Sequence, residues 1–156
     1  MVLVDALSEG LRDAETADEW AIQRVLLSGD MTEALQLYPE IEQLDADRSF
    51  EELIAAPPLR PMPLVVLSAD HPWGPLVPGF IADGVLPPDI PRDFGYVTDR
   101  AAKEAQARLA ASVAGARHVT DTDSGHEIHR DQPQLVIDSI RDVVDAVRAG
   151  RTALAP

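Results

Sequence analysis

Two short apolar runs predict β-strands that are buried inside a sheet. They are Met1–Val4 and Leu64–Leu67, and neither alternates with polar residues. Uninterrupted, β-branched-rich runs of this length are typical of parallel strands that are covered on both faces. A third short strand is predicted at Arg117–Thr120. Each of the three is followed by polar residues, so the strands are expected to end in loops.

Between the first two strands the periodicity is helical. Capping signals, in which a short polar residue precedes a Glu or a run of apolar residues, predict three helices in succession. The expected caps are Thr16 or Asp18 for the first helix, Asp30 with Glu33 for the second, and Ser49 with Glu52 for the third. Because no strand separates these helices, we interpret residues 8–60 as a helical lid inserted into an α/β domain.

The second half of the chain returns to alternating elements. Residues 71–97 are rich in proline and lack periodicity, which predicts an ordered surface loop, and a helix is expected from Thr98 or Asp99 to Gly115. A last helix has Pro133 in its first turn, where proline is tolerated, and Gly150 at its end. Its predicted apolar face is Val136, Ile140, Val143, Val144 and Val147. The pattern predicts one α/β domain over residues 1–156, with a three-stranded, mostly parallel sheet and flanking helices.

Composition and charge restrict the classes of partner that this chain is expected to bind. The chain has 13 Lys and Arg against 27 Asp and Glu, a net charge of −14, which disfavours nucleic acids and anionic membrane surfaces. The acidic stretch from Asp13 to Glu19 is expected to be a solvated face. No apolar run reaches the roughly 20 residues that span a bilayer. The first ten residues lack the features of a secretory signal, so we expect a cytoplasmic location.

The candidate chemistry lies where the predicted strands end. Asp5 follows the first strand, Asp70 the second, and His126 the third. In an open parallel sheet, catalytic groups gather at the carboxyl ends of the strands. A carboxylate that orients an imidazole, with the imidazole as general base, is part of a nucleophile–base–acid triad. The alternative for each residue is a structural role at the end of a strand.

A metal centre is the competing interpretation of the loop that carries His126. The stretch from His118 to His129 is rich in potential ligands, but His126-x-x-His129 does not have the spacing of a zinc-binding helix. Asp121-x-Asp123-x-Gly125 begins like a calcium loop and then lacks the third ligand. The chain has no cysteine. We therefore expect neither a metal nor a cofactor.

The order of these segments resembles the C-terminal half of an α/β-hydrolase. The resemblance covers nearly the whole chain and lies in Leu3-Val4-Asp5-Ala6, the helical insertion, Pro63–Asp70, Ser124-Gly125-His126 and the terminal amphipathic helix. It implies that His126 is the catalytic base. It also implies that the acid is Asp70, with Asp5 as the alternative used by some branches of the family. The expected reaction is hydrolysis of an ester or similar bond in a small-molecule substrate.

The chain departs from that family in one respect. No G-x-S-x-G nucleophile motif occurs anywhere in it, so we expect the chain alone to be inactive. We interpret the apolar start at Met1–Val4 as the cut edge of a larger sheet and expect homo-oligomers through this exposed strand. The alternative function is that of a non-catalytic truncated fragment or a binding module.

Overall fold

The computed structural model describes residues 1–28, 36–38, 40 and 45–154, in which strands and helices form a mixed α/β fold. The strands are β1 (Val2–Val4), β2 (Val65–Leu67) and β3 (Arg117–Val119). The helices are α1 (Glu9–Asp13), α2 (Ala17–Ser28), α3 (Ala46–Ala55), α4 (Val77–Ala82), α5 (Phe94–Ala111), α6 (Ile128–Asp131) and α7 (Pro133–Arg148). A 3₁₀ turn at Gly74–Leu76 precedes α4.

The strands form a parallel three-stranded sheet in the order β1-β2-β3. Val2 lies opposite Val65, which lies opposite Arg117. This confirms the predicted parallel sheet with flanking helices. All three residues of the central strand β2 are fully buried. Those of β1 are only partly buried, although Val2 and Val4 pack in the cluster on one face and Leu3 in the cluster on the other. The difference arises because β1 is an edge strand within the described residues.

Helices cover both faces of the sheet. On one face, Leu64 and Val66 pack with Val113, which follows α5. On the other face, Val65 and Leu67 pack with Ile128 of α6 and Val143 of α7. Successive residues of a strand point to opposite faces, so the uninterrupted apolar run in β2 fills both interfaces.

The helices that precede β2 have a separate core against α5, built by Leu11, Trp20, Ala46, Phe50, Ala101 and Ala105. Phe50 is 1% exposed, and its ring centroid lies 5.6 Å from that of Trp20. Trp20 is therefore a packing residue, and its Nε1–H donates to Asp47 at 2.8 Å.

The helix caps in this part of the chain agree only partly with the sequence patterns. Of the two predicted caps for α2, Thr16 is the one used, and it forms a capping box with Glu19 in which each side chain accepts a hydrogen bond from the other residue's backbone N–H. The third helix begins earlier than predicted, because Asp45 accepts the N–H of Arg48 and caps α3. Ser49 lies inside that helix. The predicted cap at Asp30 and Glu33 lies outside the described residues.

The proline-rich segment before α5 is more regular than the predicted surface loop. It contains the 3₁₀ turn and α4, and Val77, Ile90 and Phe94 form a fourth buried cluster. Helix α5 begins at Phe94 instead of Thr98 or Asp99. The Asp99 carboxylate, which we expected to cap the helix, accepts the N–H of Trp73 and Gly74 at 2.8 and 2.9 Å. The helix is thereby tied to the turn that packs against it.

The last helix begins at Pro133 and is followed by Gly150 with a φ of 67°, as predicted. Its predicted apolar face is not a single buried face. Val143 is buried beneath the helix, whereas Ile140, Val144 and Val147 are exposed. In the described part of the chain no helix has the length and apolarity needed to cross a membrane.

Candidate active site

The carboxyl ends of the parallel strands bring two of the three predicted site residues into contact. The Asp5 Oδ2 and His126 Nδ1 atoms lie 2.8 Å apart. An ionised carboxylate only accepts hydrogen bonds, so Nδ1–H is the donor and Nε2 is left as the basic nitrogen. The residues are 121 positions apart in the sequence, and the parallel register of β1, β2 and β3 brings them together.

Asp5 is held firmly at the end of β1. Its N–H donates to the Leu67 carbonyl at 2.8 Å, and its Oδ1 accepts the N–H of Ala69 at 3.1 Å. Its backbone φ is +43°, a left-handed conformation that L-residues adopt at a cost and that Asp tolerates better than most. The turn and the two hydrogen bonds aim the second carboxylate oxygen, Oδ2, at His126.

The loop that carries His126 is anchored on both sides of the residue. Ser124 is fully buried, and its Oγ donates to Asp131 of α6 at 2.9 Å. Its N–H donates to Asp70 Oδ1 at 2.9 Å, and the N–H of Asp123 donates to Asp70 Oδ2 at 3.1 Å. The Ser-Gly-His segment therefore has a buried anchor two residues before the imidazole.

Asp70 engages this loop instead of the imidazole. The backbone hydrogen bond from Ser124, followed by the one from Asp123, lowers the pKa of the Asp70 carboxyl below its usual value. In the described residues no hydrogen bond joins Asp70 to His126. The preference for Asp70 as the acid therefore has no geometric support here, and Asp5 has the contact that the role requires.

The Asp5–His126 pair is accessible to solvent on the side of the imidazole. The His126 side chain is 75% exposed and that of Asp5 is 18% exposed. Within the described residues, no serine, threonine or other nucleophile makes a hydrogen bond with His126; its one side-chain partner is Asp5. The same residues contain no group of three His, Asp or Glu side chains that could hold a metal ion. The arrangement can accept a proton at Nε2 but includes no atom to attack a substrate.

A serine–histidine contact, separate from the Asp5–His126 pair, was not predicted from the sequence. Ser68 Oγ and His118 Nε2 lie 2.8 Å apart, on the face of the sheet that α5 covers. Burial lowers the pKa of the His118 imidazole, which favours its neutral form. Ser68 is nearly buried, so this pair joins β2 to β3 rather than facing a substrate. The signal available in the sequence was the position of His118 inside a predicted strand.

Comparisons of the chain with protein-family models, with curated proteins and with solved structures found no match. The class of protein that the fold defines is a mixed α/β protein with a three-stranded parallel sheet.

Proposed function

We propose that this chain supplies the base and the acid of a hydrolase that cleaves an ester or similar bond in a small molecule through a covalent intermediate. The observation that carries the proposal is the 2.8 Å contact between His126 Nδ1 and Asp5 Oδ2 at the carboxyl end of the sheet. The resemblance to the C-terminal half of an α/β-hydrolase gives the pair its chemical context, with residues 8–60 as the lid.

Each residue has a defined part in this chemistry. His126 removes the proton of a nucleophile at Nε2 and later the proton of the attacking water. Asp5 keeps the proton on Nδ1 and stabilises the imidazolium that forms, which is the role of the acid in a triad. Asp70 is a positioning residue, because its carboxylate holds the N–H groups of Asp123 and Ser124 in the loop before His126. The nucleophile is contributed from outside this sequence.

The first test uses the chain alone with a p-nitrophenyl ester, followed as a pre-steady-state burst and as steady turnover. We expect neither above the buffer rate, because general-base catalysis, worth about 10²–10⁴-fold, has no bound nucleophile to act on. A stoichiometric burst that His126→Ala abolishes would show that the chain has its own nucleophile and would refute this division of roles.

The second test restores a nucleophile. The DNA upstream of the Met1 codon is translated, and any in-frame strand followed by G-x-S-x-G is expressed together with this chain. In an active product, His126→Ala is expected to lower kcat by orders of magnitude and Asp5→Asn by about 10⁴-fold. His129→Ala is the matched control and is expected to have a small effect. Equal, modest losses for Asp5→Asn and Asp70→Asn would exclude both as the acid.

A non-catalytic binding module is the alternative. The observation that favours it is the exposed Nε2 of His126, which has no hydrogen-bond partner among the residues that the structure describes. The two functions differ in their response to the restored upstream half. Binding of this half without ester hydrolysis, under conditions where the sheet is folded, would support the module and contradict the hydrolase.

A further inference from the structure

Gln106 is a buried residue whose side-chain amide reaches from helix α5 to the turn after β1. The residue is 5% exposed. Its Nε2–H group donates to the Ala6 carbonyl at 2.9 Å and lies 3.5 Å from Asp5 Oδ1. A carbonyl and an ionised carboxylate only accept hydrogen bonds, so the amide nitrogen must face both of them. The helix is thereby connected to the segment that carries the acid, across 100 positions of the sequence.

Packing does not explain a glutamine at this position. The other buried residues of α5 have no polar side chain; they are Phe94, Gly95, Ala101 and Ala105. Gln106 Oε1 is inaccessible to water and has no hydrogen-bond partner among the described residues. A buried acceptor without a partner destabilises a fold, so an apolar side chain of similar length would fill this space at a lower cost. What an apolar side chain could not supply is the N–H donor to the turn.

This turn determines where the Asp5 carboxylate points. Asp5 has a left-handed backbone with a φ of +43°, and the Ala6 carbonyl that follows it is the group held by Gln106. The Oδ1 atom of Asp5 also accepts the N–H of Ala69 at 3.1 Å. A carboxylate is planar, so a fixed Oδ1 leaves Oδ2 directed at His126, where the Oδ2–Nδ1 distance is 2.8 Å.

The imidazole of His126 is not held in this geometry by packing. Its side chain is 75% exposed, whereas that of Asp5 is 18% exposed. In the part of the chain that the structure describes, Asp5 is the one side chain that makes a hydrogen bond with the imidazole. The tautomer of a neutral histidine is set by the hydrogen bond that one ring nitrogen makes. The proton therefore stays on Nδ1 only while Asp5 Oδ2 is in place.

We propose that Gln106 is a positioning residue of the Asp5–His126 pair. By holding the Ala6 carbonyl and lying against Asp5 Oδ1, its amide keeps Oδ2 in place and the proton on His126 Nδ1. Nε2 then remains the basic nitrogen. The effect on the tautomer is a property of this chain alone, whereas the effect on catalysis rests on the proposed hydrolase function. The two effects are therefore tested separately.

The first test measures the tautomer of His126 in the intact chain from the nitrogen chemical shifts of its ring, at alkaline pH where an imidazole is neutral. We expect the Nδ1–H tautomer to predominate in the wild type. Gln106→Met retains an unbranched side chain of similar length and removes the donor. It should lower the ratio of Nδ1–H to Nε2–H by about threefold to tenfold, the factor that one net hydrogen bond represents. An unchanged ratio would overturn the proposal.

Gln23→Met is the matched control. Gln23 is 4% exposed, against 5% for Gln106, and its Oε1 accepts the hydroxyl of Thr98 on the same helix α5 at 2.7 Å. Thr98 lies eight residues from Gln106, about 12 Å along the helix. The control therefore removes a buried amide contact to α5 without touching the Asp5 turn, and the His126 tautomer should not change. An equal change in both variants would overturn the proposal, because a general loosening of α5 would then be the cause.

Two further measurements decide the question if Gln106→Met does not fold, as judged by the loss of cooperative urea unfolding. Gln106→Glu keeps the shape of the side chain and, when ionised, offers only acceptors to the turn, so the same loss of the Nδ1–H tautomer is expected. In the wild type, the side-chain amide protons of Gln106 should exchange with solvent more slowly than those of the exposed Gln134. Equal exchange of the two amides would contradict the positioning role.

The catalytic consequence is tested in the product that contains the restored upstream half. Gln106→Met is expected to lower kcat by about tenfold with KM unchanged, and to have little further effect when Asp5→Asn is already present, because the two changes act through one group. A shifted tautomer in a product that does not hydrolyse esters would contradict the hydrolase and support the positioning role. Hydrolysis that depends on Asp5 but not on Gln106 would overturn the positioning role and leave the hydrolase intact.

Discussion

Glu15 is expected to make the stability of this protein fall as the pH rises towards neutrality. It lies in the acidic stretch that we expected to be solvated, yet both of its carboxylate oxygens are inaccessible to water and have no hydrogen-bond partner in the described residues. Burial and the negative charge of Glu19 raise the pKa of Glu15 to about 7, while Arg100 opposes the shift. Arg100 only partly compensates, because it pairs with Glu19 and donates to the Ala14 carbonyl.

The sign of the effect follows from proton binding. The native state holds a proton on Glu15 up to about pH 7, whereas the unfolded chain releases it near 4.5. Between these values the native state binds more protons, so the free energy of unfolding decreases as the pH rises and is constant above about 7. Without solvent screening, a pKa shift of this size corresponds to about 3 kcal/mol of unfolding free energy. Because the side chain is only partly buried, solvent screening reduces the expected effect to about 1–2 kcal/mol.

Urea denaturation at pH values from 5 to 8 measures the contribution of Glu15 to the free energy of unfolding when the wild type is compared with Glu15→Gln. The groups common to both proteins cancel, so the stability of the wild type relative to the variant should drop by about 1–2 kcal/mol across this range. Glu51→Gln, which removes one exposed carboxylate from α3, is the control for the change in net charge. A difference that is independent of pH, or that grows as the pH rises, would refute the assignment.

Two further predictions concern the core and the loop that carries His126. Phe50→Ala should destabilise the protein by about 3–5 kcal/mol in a urea titration, because the ring is buried against Trp20. The control Tyr38→Ala, at an exposed position, should lower the free energy of unfolding by less than about 0.5 kcal/mol. Asp70→Asn should accelerate hydrogen exchange of the Ser124 amide, because it removes the carboxylate that accepts this N–H. The control Asp121→Asn should leave this exchange unchanged. Unchanged exchange in Asp70→Asn would show that Asp70 does not anchor the loop.

The sequence alone predicted the parts of the fold that depend on local patterns. The uninterrupted apolar run of β2 requires burial on two faces. The cap at Thr16, one of the two caps expected for α2, requires only residues within one turn. Pro133 and Gly150 likewise mark the limits of α7 through their own backbone preferences. The positions of Asp5, Asp70 and His126 at strand ends followed from the same patterns, and so did their expected gathering at one edge.

Only the tertiary structure decided which acid meets His126, because a contact across 121 residues depends on strand order and on how each side chain is already engaged. Asp70 is occupied by two N–H groups of the neighbouring loop, while the left-handed turn at Asp5 leaves one oxygen for the imidazole. The helical periodicity of α7 shows which residues are apolar and cannot show which of them a neighbour covers. The sheet lies under Val143, so Ile140 faces outward. Burial is set by what packs on a surface, and that is a property of the assembled fold.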